Sequence, residues 1–158
     1  MLRFQTFATP LGAFTVLASD DGVVATTTGP VADLIGGLPE AAGPGRLPAV
    51  GAEVSAFFRG RLRSFQTPVD LRLVTTPFAR RVLQITATIP YGQMWTYGDV
   101  AAMAGRPGAA RAAGSALARS PIEVFVPCHR VVPAGAGFGR YGGEDDRRLT
   151  LLRLEGAV

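Results

Sequence analysis

The sequence predicts an α+β fold in two parts, and three observations carry that reading. Residues 3–28 alternate apolar and polar side chains around two turn signals, the texture of a small β-meander. From Thr76 onward apolar residues recur at helical spacing between Pro- and Gly-containing breaks. Charge divides along the same line: residues 1–58 carry two Arg against five acids, a net of −3, whereas residues 59–158 carry fourteen Arg against seven acids, a net of +7. The expected division is an N-terminal α/β part over residues 1–72 and a mainly helical C-terminal part over residues 73–158.

Each element has a local reason. Phe4, Thr6 and Phe7 precede a Pro10-Leu11-Gly12 turn, and Phe14, Val16 and Leu17 follow it. Asp20-Asp21-Gly22 is a hairpin signal, with Val23–Thr26 as the next strand. Residues 36–47 are rich in Gly and Pro and read as a surface loop. Val54, Phe57 and Phe58 have helical spacing in a segment from Val50 that Gly60 ends, and Val69–Val74 reads as a short strand. Thr76-Pro77 is an N-cap followed by Pro at the first helical position, opening a helix toward Ile89-Pro90. Thr96 caps a second short helix over Tyr97–Ala104, with Val100 and Met103 expected inward. Gly105-Arg106-Pro107-Gly108 is a turn, and Ala109–Arg119 is a third helix. Two short helices joined by a tight Gly-containing turn form the helix-turn-helix pattern. Ile122–Val126 is a β-branched, strand-like run, Gly135–Gly143 a Gly-rich loop, and Arg147–Glu155 a last amphipathic helix.

Composition narrows the function. Hydrophobic residues make up 47% of the 158, enough for a packed core. One Cys excludes an intrachain disulfide, and one Cys with one His argues against a structural zinc. The N-terminus has no signal-peptide core, and no apolar stretch reaches the roughly 20 residues that span a bilayer. A reduced, cytoplasmic setting without membrane attachment is therefore expected. All sixteen basic residues are Arg, whose planar donor fork suits phosphate; a GC-rich genome would give the same bias.

The chemistry concentrates in Val126-Pro127-Cys128-His129-Arg130-Val131-Val132, which holds the sole thiol beside the sole imidazole. Cysteine attacks as thiolate, and an imidazole network generates thiolate near neutral pH. The plain alternative is a buried structural Cys beside an incidental His. Neighbours in an extended segment face opposite ways, so a bridging water or a bend at Pro127 would have to connect them. Glu155 is a candidate to orient the imidazole, although its position alone suits an ordinary helix end. The helix Ala109–Arg119 is built from Ala, Gly, Ser and Arg and lacks the long polar side chains that read base edges in a major groove. It suits either close packing inside the domain or shape-based contact with a minor groove.

The run Pro127-Cys128-His129-Arg130-Val131 resembles the active-site motif of the O6-alkylguanine-DNA alkyltransferases. Ile89-Pro90-Tyr91-Gly92, Thr96-Tyr97-Gly98-Asp99-Val100-Ala101, Gly108–Gly114, Tyr141-Gly142-Gly143 and Leu151–Gly156 resemble further blocks of that family in the same order. The match covers about residues 75–156; the N-terminal half matches weakly. The resemblance implies a ribonuclease-H-like N-terminal domain and a C-terminal winged helix-turn-helix domain. The implied activity is irreversible, single-turnover transfer of an alkyl group from O6 of guanine, and also O4 of thymine, in double-stranded DNA to Cys128. No cofactor and no metal are implied, and a monomer is expected; cooperativity on DNA stays open.

The resemblance also assigns roles. Cys128 is the acceptor, His129 the base acting through water, and Glu155 its orienting partner. Arg111 fills the gap left by an extruded nucleotide, and Tyr97 assists extrusion and bonds the departing guanine. Ala109, Ala110, Ala112, Gly114, Ser115 and Arg130 accompany them on the minor groove. Pro127, Val131, Tyr141, Gly142, Gly143, Arg148 and Tyr97 line the base pocket. Ser120 occupies a hinge where the family usually has Asn, so slower transfer is expected, since a hydroxyl replaces only part of an amide's bonding. A Lys common near the last helix is replaced by Arg148 or Arg147, and the N-terminal zinc site of some members has no ligands here. Two other readings remain: an alkyltransferase-like protein that binds lesions without repairing them, and a thiol hydrolase or redox sensor.

Overall fold

The computed structural model describes residues 1–135 and 146–158, which form two compact units, Met1–Leu73 and Val74–Val158. In the first unit, β1 (Leu2–Thr9), β2 (Gly12–Ser19) and β3 (Gly22–Thr27) form an antiparallel meander, and β4 (Ala42–Pro44) adds parallel to β1. The sheet order is β3-β2-β1-β4. Central β2 is buried from Phe14 through Ala18 because both of its faces are covered. On one face Leu17 joins Leu2, Val24 and Ala25. Phe14 meets Phe58 of α2 (Pro48–Phe58) edge-on at 6.3 Å, and Phe57 packs on Phe58 and Phe65, each at 5.2 Å. A fully buried Phe of this kind contributes roughly 2–3 kcal/mol.

Two expectations fail in this unit. The Gly/Pro-rich stretch contains β4 as well as loop: Gly45 N–H bonds Phe4 O at 3.0 Å, and Pro44 is tolerated because the strand lies at the sheet edge. A short helix, α1 (Val31–Gly36), precedes it. The strand expected over Val69–Val74 shrinks to a single bridge between Val23 and Val69. Asp70 explains the break: its carboxylate accepts from Arg72 N–H at 3.1 Å and Ser19 Oγ at 2.6 Å, which turns the chain away. The chains approach so closely here that a Cβ on Gly22 would lie 2.3 Å from Pro68 O.

The second unit is mainly helical. Thr76 Oγ1 accepts from Ala79 N–H at 3.3 Å to start α3 (Pro77–Thr86). Thr96 and Asp99 form a capping box, each side chain accepting the other's backbone N–H at 3.0 Å, and start α4 (Tyr97–Met103). α5 (Ala110–Ala118) packs on α3 and α4 through Ala113 and Leu117. α6 (Asp146–Leu154) closes the unit. Met103 is 49% exposed, contrary to expectation; Val100, Ala101 and Ala104 form the buried face of α4. Two residue pairs, Trp95–Val131 and Thr96–Val132, make a parallel ladder between β5 (Trp95–Thr96) and β6 (Val131–Val132). This ladder joins the start of the helix pair to the segment that follows Cys128. No helix among the described residues is long and apolar enough to cross a membrane.

Candidate active site

Ile122–Val126 is not a strand. Two tight turns bend it and deliver Cys128. Phe125 N–H bonds Glu123 O at 2.8 Å around Val124, whose φ is +71°. A β-branched residue in that conformation is strained, at roughly 1–3 kcal/mol. Cys128 N–H then bonds Val126 O at 2.8 Å around Pro127 (φ −79°, ψ 65°), an inverse γ-turn. Cys128–Arg130 follows as one 3₁₀ turn. The opposite-face argument for Cys128 and His129 therefore does not apply, because a 3₁₀ turn places successive residues about a third of a turn apart. Both residues line one cavity of about 310 Å³, with Ser120, Glu123, Val124, Arg147 and Arg148 among its described walls.

Behind the cavity lies a buried charge cluster built on Glu155, one residue past α6. Its Oε2 meets His129 Nε2 at 2.7 Å and accepts from Arg130 Nη2 at 2.7 Å. Its Oε1 accepts from Arg130 Nε at 2.9 Å and Gly92 N–H at 3.2 Å. Gly92 makes that contact from a left-handed turn with φ +79°. Burial alone would raise this carboxyl, but the hydrogen bonds from His129 and Arg130 hold it at about 2. An ionised Glu155 fixes the tautomer: Nε2 carries the proton, and Nδ1 is the basic nitrogen. Burial also pushes His129 below its ordinary value, against the pull of Glu155, so the imidazole is neutral at pH 7. Cys128 itself is half-buried, with Sγ directed at Ile122 O at 3.9 Å. Burial pushes its thiol up to about 11, despite the opposing Ser120 hydrogen bond and Arg148 charge. The resting nucleophile is a thiol.

The other expected residues divide. Tyr97 OH accepts from Arg148 Nη2 at 3.3 Å; Arg148 lines the cavity, and Tyr97 stands behind it. Pro127 and Val131 are buried on either side of the 3₁₀ turn. Arg111, Ala112 and Ser115 are exposed on α5, while Ala109, Ala110 and Gly114 are half-buried. A Cβ on Gly114 would lie 3.8 Å from the Tyr97 ring, an ordinary contact, so this position faces Tyr97 without requiring glycine. Arg130, expected on DNA, is corrected: it is only 7% exposed, and its remaining donor, Nη1, bonds Ile89 O at 2.7 Å. The Tyr91 ring stacks 5.6 Å from its guanidinium. Arg130 is an internal clamp: with His129 neutral, its guanidinium supplies the positive charge that balances Glu155. Tyr141, Gly142 and Gly143 lie outside the described residues. The sequence reading missed Glu123, which lines the cavity and pairs with Arg147 at 3.2 Å; no local motif marks it. Among the described residues, no cluster of three His, Cys, Asp or Glu could hold a metal.

Comparison with known proteins places this arrangement. Residues 77–157 match the family model described as 6-O-methylguanine DNA methyltransferase, DNA binding domain. The methylated-DNA–protein-cysteine methyltransferase of Mycobacterium leprae is 45% identical over 121 residues, covering 77% of this chain and 70% of that protein. The crystal structure of Mycobacterium tuberculosis O6-methylguanine methyltransferase superposes with a TM-score of 0.83 at 34% identity, covering 98% of this chain and 93% of that one. Mycobacterium tuberculosis OGT in complex with DNA gives the same TM-score, 0.83, and the same coverage, 98% and 93%, at 33% identity. A likeness that spans both units, with the thiol, imidazole and carboxylate gathered in the matched segment, means that the chain belongs to the methylated-DNA–protein-cysteine methyltransferase family.

Proposed function

We propose that the protein repairs DNA by direct reversal, taking an alkyl group from O6 of guanine onto Cys128 in a single irreversible turnover. The observation that carries this reading is the cavity-lining Cys128 thiol one residue from a neutral His129 that Glu155 holds by Nε2. Nδ1 of His129 receives the thiol proton through a water as reaction begins. The sulfur lone pair forms the S–C bond, and the C–O6 bond breaks with its electron pair passing to the purine. The proton carried by His129 returns to the departing base, so the products are guanine and an S-alkylcysteine. Arg148 donates to Tyr97 OH, leaving that hydroxyl's own proton to meet the purine as charge develops. Neither a carboxylate nor a neutral imidazole cleaves a thioether, so the protein is consumed by the reaction.

A stacked guanine cannot reach a cavity of this kind, so the nucleotide is extruded, at a cost of a few kcal/mol. The exposed α5 face supports approach from the minor groove: Arg111 in the first turn fills the vacated stack, while Ala109, Ala110, Ala112, Gly114 and Ser115 let the helix lie close to the backbone. O4-alkylthymine presents the same alkyl–oxygen leaving group and is the secondary substrate. The protein acts as a monomer. The test is mass spectrometry of the Cys128 peptide after incubation with duplex DNA containing O6-methylguanine. One methyl per chain, absent in Cys128→Ser, is the expected result; tight lesion binding with no mass shift would overturn the reading.

A further inference from the structure

We propose that the Ser120 hydroxyl is the hydrogen-bond donor that meets the Cys128 thiolate, so that Ser120 sets the reactivity of the nucleophile as well as the shape of its turn. Ser120 follows α5 and lines the same cavity as Cys128. Its oxygen accepts Ile122 N–H at 3.2 Å and donates to Ile122 O at 2.9 Å. The Cys128 thiol is aimed at that same carbonyl, at 3.9 Å. Two donors thus share one acceptor while the sulfur is protonated. Loss of the thiol proton removes one donor and leaves an anion beside the other. A hydroxyl has one rotatable proton, and an anion is the stronger acceptor. The Ser120 proton turns to Sγ, while Ile122 N–H keeps its oxygen in place.

The electrostatic surroundings agree in sign. The Ser120 hydrogen bond favours the thiolate against burial. The charges facing the thiol come from three segments: Glu123 opposes ionisation, Arg148 of α6 favours it, and His129 and Arg147 complete the ring around the cavity. Among these groups Ser120 is the neutral one whose proton, now on Ile122 O, can turn to the sulfur. The hinge residue here is therefore more than a shortened Asn.

The proposal rests on Cys128 being the alkyl acceptor, and its test separates the two ideas. Cys128 is the chain's only cysteine, so iodoacetamide reports it alone. In that reaction the thiolate displaces iodide, an S–CH2 bond forms, and the thiol proton goes to solvent. Rates are measured against pH in the full chain for wild type, Ser120→Ala, Ser120→Thr and Ser120→Val, alongside transfer from O6-methylguanine duplex. Thr and Val have the same shape with and without the hydroxyl, so the pair remains informative if the Ala variant does not fold. The pH inflection is expected to rise by about one unit in Ala and Val, with a roughly tenfold rate loss at neutral pH, and to return in Thr. An inflection shared by Thr and Val would overturn the proposal, even if duplex repair were impaired. A shifted inflection with no duplex transfer even in wild type would uphold the Ser120 assignment and sink the repair reading.

Discussion

Glu155→Gln keeps the size of a buried side chain and removes its charge. The wild-type carboxylate takes donors from His129, Arg130 and Gly92 with no side-chain exposure. The amide offers one oxygen and an NH2 group, so a donor faces a donor at the His129 or Arg130 contact. Arg130 stays charged and buried without its counter-ion. Breaking a buried pair from one side costs about 3–5 kcal/mol. At about 2–4 °C per kcal/mol for a chain of this size, the melting midpoint should fall by about 6–20 °C. The acid limb should change as well. The Glu155 carboxyl titrates near 4.5 when unfolded and at about 2 when folded. Its contribution to stability is complete above the unfolded value and is lost as pH falls toward the folded one. Thermal melts by circular dichroism between pH 2 and 8 would show that loss in wild type and not in the variant. A variant midpoint within about 2 °C of wild type at pH 7, or an unchanged acid limb, would refute the buried-pair argument.

Three further outcomes follow from the geometry. Cys128, pushed up to about 11 in the folded protein, gives stability that is complete below the ordinary thiol value and lost as pH rises through 11; alkaline melts of wild type against Cys128→Ser should diverge there and nowhere below pH 8. Arg111→Ala should slow transfer from duplex DNA roughly tenfold or more, leave reaction with free O6-benzylguanine unchanged, and flatten the salt dependence of binding; equal losses on both substrates would remove Arg111 from the extrusion step. Thr96→Ala deletes one side of the capping box and should cost about 1 kcal/mol in denaturant unfolding, with Thr96→Ser restoring it.

Local chemistry made part of the molecule legible. β1–β3 were readable because Pro10–Gly12 and Asp20–Gly22 announce their turns, and α3 and α4 because Thr76 and Thr96 cap them. β4, β5 and β6 were not, since two or three residues gain strand geometry only from a distant partner. Ile122–Val126 misled because its β-branched composition favours extension, while the turns that place Cys128 override it at Val124. In the site, Cys128 and His129 stand out as single occurrences. Their partners do not: Glu155 lies 26 residues beyond His129, and Arg130 looks like any surface Arg until Glu155 and Ile89 claim its donors. Ser120 was visible as a departure from a motif, but the turn that brings it and the thiol to the same Ile122 carbonyl is not encoded by composition.

The ladder between Trp95–Thr96 and Val131–Val132 has a consequence for how the protein could be re-engineered. It ties off residues 97–130 as a closed loop whose two ends are adjacent, with α4 and α5 on one arm and Cys128 on the other. Insertions within the loop's exposed turn, at Gly105–Gly108, leave the tie intact and change only what the helices touch. A one-residue slip at the tie would move the thiol about 3.3 Å relative to Tyr97, the rise of one strand residue, and so spoil alkyl transfer without altering a single cavity side chain. In this chain four backbone positions act as the ruler that measures the distance from the helix pair to the sulfur.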